Sequence, residues 1–301
     1  MSISKTTVLF FIIFIPLYAF SQTGKDTHST ISDTARTHVK NRFSEYENNY
    51  FISQLGNTYY GHVKFKVSFK FDLSLPYRKN KAFFAFTQTA FWDLYGPSAP
   101  IRELDFTPVL FFEHDFEKEF DLGGSSFTVF DFKVGYLHQS DGQPTGPFNR
   151  SIFKIIGNTD MGFHRNIRGQ SALALNVADI SVRTWIWNMV DDQNKNIADY
   201  QGYGQLITTL KFDYSNKAST SNYGSYPIVI NDVITPAKIA VSNELNVMFD
   251  PYIGVRGAPW FPYLIFQYFH GYGENLINYD NRYNKHKALD EYRFGVLFRV
   301  F

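Results

Sequence analysis

The 301-residue chain has no cysteine, so disulfide scaffolds, thiolate zinc centres and cysteine nucleophiles are excluded. It also lacks net charge. Its 29 Lys and Arg face 28 Asp and Glu, leaving +1, which removes the electrostatic case for a nucleic-acid partner or a polybasic membrane attachment. Beyond its first residues it has no long apolar run, so if it crosses a membrane it does so with strands rather than helices. Aromatic residues are what it has in excess. Phe 32, Tyr 20 and Trp 4 make up 19% of the chain, more than a soluble core needs and suited to a membrane interface.

Lys5, the apolar run Val8 to Ile15, Pro16 and the small-residue pattern Ala19-Phe20-Ser21 read as a secretory signal over residues 1–21. The run is too short for a spanning helix, and Pro16 interrupts it. Residues 22–50 are polar and without periodicity, and read as an exported N-terminal tail. Residues 51–301 then form one domain with no internal repeat.

The clearest pattern is 64–75, where Phe65, Val67, Phe69, Phe71, Leu73 and Leu75 alternate with polar residues up to the turn signal at Pro76. Similar segments recur at 82–92, 107–116, 127–140, 149–157, 171–177, 181–190, 203–213, 226–233, 239–249, 260–271 and 291–301, with turn-rich stretches between. The expectation is an all-β transmembrane antiparallel β-barrel of about twelve strands in the bacterial outer membrane. Phe65, Val67, Phe69 and Phe71 are expected to face lipid, and Lys64, Lys66 and Lys70 the lumen. Alternation alone also allows a soluble sandwich; the export signal and the aromatic excess favour the barrel. The terminal Phe301 fits a closing strand only through a bulge, because it shares parity with Arg293 and Arg299.

In 127–140 the even positions Phe130, Phe132, Val134 and Tyr136 form the apolar face, so His138 and Ser140 also project toward lipid. They sit side by side at roughly 7 Å backbone spacing, in reach for imidazole-assisted proton removal from a hydroxyl. On the next segment Arg150 and Lys154 mark the lumen face, and Asn149 shares the outside with Phe153 and Ile155. An amide there suits the orienting member of a nucleophile, base and orienter set. Each residue alone is an ordinary strand-end residue; three in complementary roles on one face form a candidate catalytic group.

These residues resemble the bacterial outer-membrane phospholipase A family. Its signature Gly-Tyr-x-His-x-Ser-Asn-Gly, then Trp-Asn-Arg, is matched by Gly135-Tyr136-Leu137-His138-Gln139-Ser140-Asp141-Gly142, then Phe148-Asn149-Arg150. Thr87-Gln88 with Phe91-Trp92, Arg102-Glu103 with Pro108, and Gln267 through Tyr279 follow in family order, so the likeness covers about 50–301. The resemblance implies a calcium-bound homodimer that hydrolyses phospholipid acyl esters with phospholipase A1, A2 and lysophospholipase activity. It assigns Ser140 as nucleophile, His138 as base then acid, Asn149 as orienter and Gly142 as an oxyanion-hole amide. It places calcium ligands at Ser98 of one subunit and at Gln143 and Thr145 of the other, and a cross-dimer glutamine at Gln88. Asp141 and Gln143 depart from the family's Asn and Arg, and the loop to Asn149 is short. The rival from another class is a catalytically inactive pore or structural barrel.

Other candidates carry less chemistry. Gly271-Tyr272-Gly273 lacks the strand-to-helix setting of a nucleotide loop. The histidines at 28, 38, 62, 114, 164, 270 and 286 show no metal-ligand spacing, and Asp191, Asp192 and Asp199 read as a solvated loop.

Overall fold

In the computed structural model the residues described are 42–56, 63–74, 80–121, 125–142, 151–165, 173–190, 195–214, 228–250, 262–274, 279–280 and 287–298. All lie in one unit, Arg42–Phe301. The expected signal sequence, most of the expected polar tail and Phe301 lie outside the described residues. The elements are β1 (Phe43–Ser44), β2 (Asn49–Gln54), β3 (Val63–Asp72), β4 (Asn80–Trp92), β5 (Ile101–Asp121), β6 (Ser125–Ser140) and β7 (Ser151–Arg165). They continue with β8 (Leu173–Val190), the short helix α1 (Ile197–Gln201), β9 (Gly204–Tyr214), β10 (Ile228–Pro236), β11 (Val241–Phe249), β12 (Tyr263–Gly271) and β13 (Leu289–Phe298).

From β2 onward every strand pairs antiparallel with its sequence neighbour, and β13 pairs with β2, so β2 to β13 close into a twelve-stranded barrel. Closure leaves no unpaired edge, which is what lets strands exist in hydrocarbon. Residues β1 and β2 both pair with β3, in registers that differ by two. The first strand is therefore interrupted, and the segment between its halves carries Glu47 to Lys66 and Arg183.

The faces settle what alternation left open. Leu110, Phe112, Phe132, Val134, Tyr136, Ile155, Ile180, Val182, Ile186, Tyr292, Phe294 and Phe298 are exposed, whereas Lys64, Glu103, Asp105, Glu113, Lys154, Glu291 and Arg293 are buried. Apolar outside and charged inside is a membrane barrel's arrangement, the reverse of a soluble sandwich's. Phe71 pairs with exposed Phe84 and Lys70 with fully buried Ala85, so the expected faces of β3 hold.

Between β3, β11, β12 and β13 the lumen holds polar groups that satisfy one another. Lys64 Nζ donates to Glu244 (3.2 Å) and Glu274 (3.0 Å), Asn246 to Glu244 (3.0 Å), Gln267 to Asn246 (2.8 Å), and Arg293 to Gln267 (2.8 Å) and Glu274 Oε2 (2.7 Å). These bonds form a closed circuit, which buried charges need if they are to persist. On the β4 to β8 side an apolar cluster of Phe83, Ala85, Val109, Phe111, Ile156 and Trp185 lies among inward polar groups.

Four strand expectations are corrected. The segments 171–177 and 181–190 are one strand, β8; Asp179, which resembles a turn residue in the sequence, faces inward and binds Lys211 at 2.7 Å. The strand β2 straddles the expected end of the tail at residue 50, where no strand was expected before 64, because Tyr50, Phe51 and Ile52 are contiguous and give no alternation. These two differences cancel in the count of twelve. The strands β5 and β7 extend past 116 and 157; Asn158 and Asp160, loop-like in composition, are lumen residues bonded to Ser181 and Lys133.

Candidate active site

The expected nucleophile and base lie at the end of β6. Even positions of β6 face outward, since Phe132, Val134 and Tyr136 are exposed, and His138 and Ser140 continue that face. The antiparallel register sets Ser140 opposite Phe106 of β5 and Ser151 of β7, and His138 opposite Phe153. Phe153 covers the imidazole with ring centroids 4.3 Å apart. Nδ1 of His138 is buried and has no hydrogen-bond partner among the described residues. Asn149, Gln143 and Thr145 lie outside the described residues, so the structure brings together His138, Ser140 and Gly142 only.

Gly142 has φ +66°, and a Cβ on it would stand 2.6 Å from the Phe106 ring, so both backbone and space demand glycine. Asp141, whose side chain alternates to the lumen, is 1% exposed and lies near Glu103 and Asp105. Its charge is therefore spent inside the barrel rather than at the rim beside Ser140.

Ser98 is in the hairpin between β4 and β5, at the same end of the barrel as Ser140. It is exposed and has φ 65°, followed by Ala99 at 42°, a left-handed pair without glycine. The indole of Trp92 bonds the Ala99 carbonyl at 2.8 Å, and Arg102 Nε bonds Asp93 at 3.0 Å, which hold the turn in this strained form. Gln88 pairs with the outward-facing Val67, so it too is on the outer wall near this end. An aromatic ladder, Phe43, Phe69, Phe86 and Phe106, runs along the same wall toward Ser140 with centroid steps of 6.0, 5.8 and 6.3 Å.

Sequence reading missed the residues that back the site from within. Lys154 is buried between the rings of Trp185 (4.8 Å) and Trp187 (4.3 Å) and donates to Gln201 of α1 at 3.2 Å. Both indoles donate to the Gly202 carbonyl, and Gln201 donates to Gly273, so α1 and the segment after β12 are tied to the barrel mouth behind β7. Lys154 was readable as a lumen residue, but its partners are far away in sequence.

A closed barrel with apolar side chains outside and charged ones inside defines a class: the bacterial outer-membrane β-barrels. Within that class the chain belongs to the phospholipase A1 family, whose pattern matches residues 30–287. It is 28% identical over 233 residues to a Neisseria meningitidis homologue, covering 74% of this chain and 52% of the relative. It is 29% identical over 223 residues to phospholipase A1 of Proteus vulgaris, covering 72% and 65%. The chain thus spans about half to two thirds of the length of these relatives. In fold it is similar to outer membrane phospholipase A from Escherichia coli, with TM-score 0.62, 20% identity and 85% and 98% of the two chains covered. It is also similar to the Salmonella typhi outer membrane phospholipase dimer with bound calcium, with TM-score 0.62, 21% identity and 86% and 93% covered.

Proposed function

We propose that this barrel hydrolyses acyl esters of phospholipids in the bacterial outer membrane, with phospholipase A1, A2 and lysophospholipase activity. The observation that carries the reading is the placement of His138 and Ser140 on one outward face at a strand end, where an ester at the bilayer surface can reach them. His138 takes the Ser140 proton as the hydroxyl oxygen attacks the ester carbonyl carbon, then returns it to the leaving alcohol oxygen as the acyl–oxygen bond breaks. Water releases the fatty acid from Ser140 by the same proton route. Asn149 is the proposed orienter, and the buried, unbonded Nδ1 of His138 is the atom it would hold. The Gly142 amide is the proposed oxyanion donor.

The family resemblance extends the proposal to calcium and a homodimer, with Ser98 of one subunit and Gln143 and Thr145 of the other as ligands. The strained, exposed Ser98 turn suits a hydroxyl donor, and calcium accepts neutral oxygen ligands. Bound there, calcium would polarise the ester carbonyl and offset the charge that develops on its oxygen. The pore alternative is disfavoured because, among the described residues, buried ion pairs lie across the lumen and α1 packs at its mouth. The test is hydrolysis of defined phospholipids by the purified chain, with and without chelator, alongside crosslinking and conductance. Conductance without hydrolysis would favour the rival, and chelator-resistant hydrolysis by a monomer would remove the shared calcium site.

A further inference from the structure

Proton transfer between Ser140 and His138 requires one imidazole orientation, and the side chain packed on that ring belongs to neither the triad nor the calcium set. We propose that Phe153 is a positioning residue for His138; this rests on the Ser140–His138 reading above. The register between β6 and β7 places Phe153 directly opposite His138, and the rings approach at 4.3 Å with a 31° tilt. Phe153 also stacks on Tyr136 at 5.5 Å and 29°, so its own plane is fixed by a second ring. On the other flank, the register from Phe106↔Ser140 to Val109↔Leu137 carries Pro108 past His138. Phe153 is thus the group packed on the imidazole from β7, with Pro108 of β5 at the register position on its other flank.

The backbone around Phe153 is built for this. The β7–β8 register shifts between Phe153 and Lys154, whose partners are Met189 and Trp187, so β8 carries one extra residue at this point. A bulge re-aims the adjoining side chains and recurs beside active sites. The next residue, Lys154, is clamped inside by two tryptophans and Gln201, which fixes β7 from the lumen side. A ring serving only as lipid contact needs neither the bulge nor the stack. Packed against a phenyl at this distance, the imidazole has little room to rotate about its Cβ–Cγ bond.

The experiment is steady-state hydrolysis of mixed phospholipid–detergent micelles by the full chain carrying Phe153→Leu, Phe153→Tyr or His138→Ala, with the unfolding midpoint of each measured. Leucine keeps the apolar contact with lipid but removes the flat surface. We expect kcat for Phe153→Leu to fall roughly five- to tenfold, the worth of one aromatic pair, with KM unchanged, and Phe153→Tyr to restore it. Should Phe153→Leu fail to fold, Phe153→Met provides the same comparison. Wild-type kcat in Phe153→Leu, or a raised KM at unchanged kcat, overturns the positioning role while an inactive His138→Ala leaves the triad standing. An active His138→Ala would overturn the triad and this role together.

Discussion

Replacing Arg293 with Met tests whether the lumen circuit is what holds the barrel wall together. Arg293 is 3% exposed and donates to four acceptors: Gln267 at 2.8 Å, both oxygens of Glu274, and Glu291. Methionine keeps much of the apolar volume but leaves Glu291 without this cation and Glu274 with Lys64 alone, at 3.0 Å. Removing one partner of a buried ion pair costs about 3–5 kcal/mol, mostly the penalty of the stranded charge, and Arg293 serves two carboxylates. Lys64 offsets part of this for Glu274, so the expected loss is about 4 kcal/mol, within that range. Gln267→Leu strands one acceptor on Asn246 and one Arg293 N–H, at roughly 1–3 kcal/mol each with some relaxation, and should cost about 2 kcal/mol. Glu274→Gln keeps an acceptor and should cost less than Arg293→Met. Equilibrium urea unfolding in detergent micelles, followed by tryptophan fluorescence, gives each value, and Arg293→Met with Glu274→Gln should show a coupling of about 1–3 kcal/mol. A loss below about 1 kcal/mol for Arg293→Met, no greater than that of a rim change such as Asp290→Asn, would refute the claim that the circuit carries stability.

Ser140→Ala and His138→Ala should leave the fold intact and remove nearly all hydrolysis, with Asn149→Ala losing less because it orients rather than reacts; a substantially active Ser140→Ala would exclude it as nucleophile. Phe69→Arg puts a charge on the lipid-facing wall and should cost roughly 2–4 kcal/mol. Lys70→Phe, whose side chain borders a lumen cavity of about 240 Å³, should be mild, and equal unfolding midpoints for the two would contradict the assigned faces. Gly142→Ala must adopt φ +66° against the Phe106 ring, so activity should drop with a stability loss of about 1–2 kcal/mol, and an unchanged enzyme would remove Gly142 from the oxyanion site.

Alternation along single strands told which side chains face out and which face in, because the two-residue period of a strand is a local property. Phe65 to Phe71 against Lys64 to Lys70, and His138 with Ser140 on the greasy face, followed from that period alone. The family motif added where such a barrel belongs and which hydroxyl to watch. Strand ends were harder to read. Asp179, Asn158 and Asp160 look like turn residues, yet they are lumen residues whose partners lie on other strands, and only the neighbouring strand tells a turn from a wet face. Register was beyond local pattern altogether. Lys64 meets Glu244 across 180 residues, Arg293 closes the circuit through Glu274, and Phe153 lands on His138 because β6 and β7 pair in one register and not the next. One residue of slip would move every side chain of a strand to the other face, so these contacts are fixed by the sum of pairings around a closed sheet. The burial of Asp141 and the cage around Lys154 depend on that closure in the same way, since a strand acquires an inside only when the sheet it belongs to shuts.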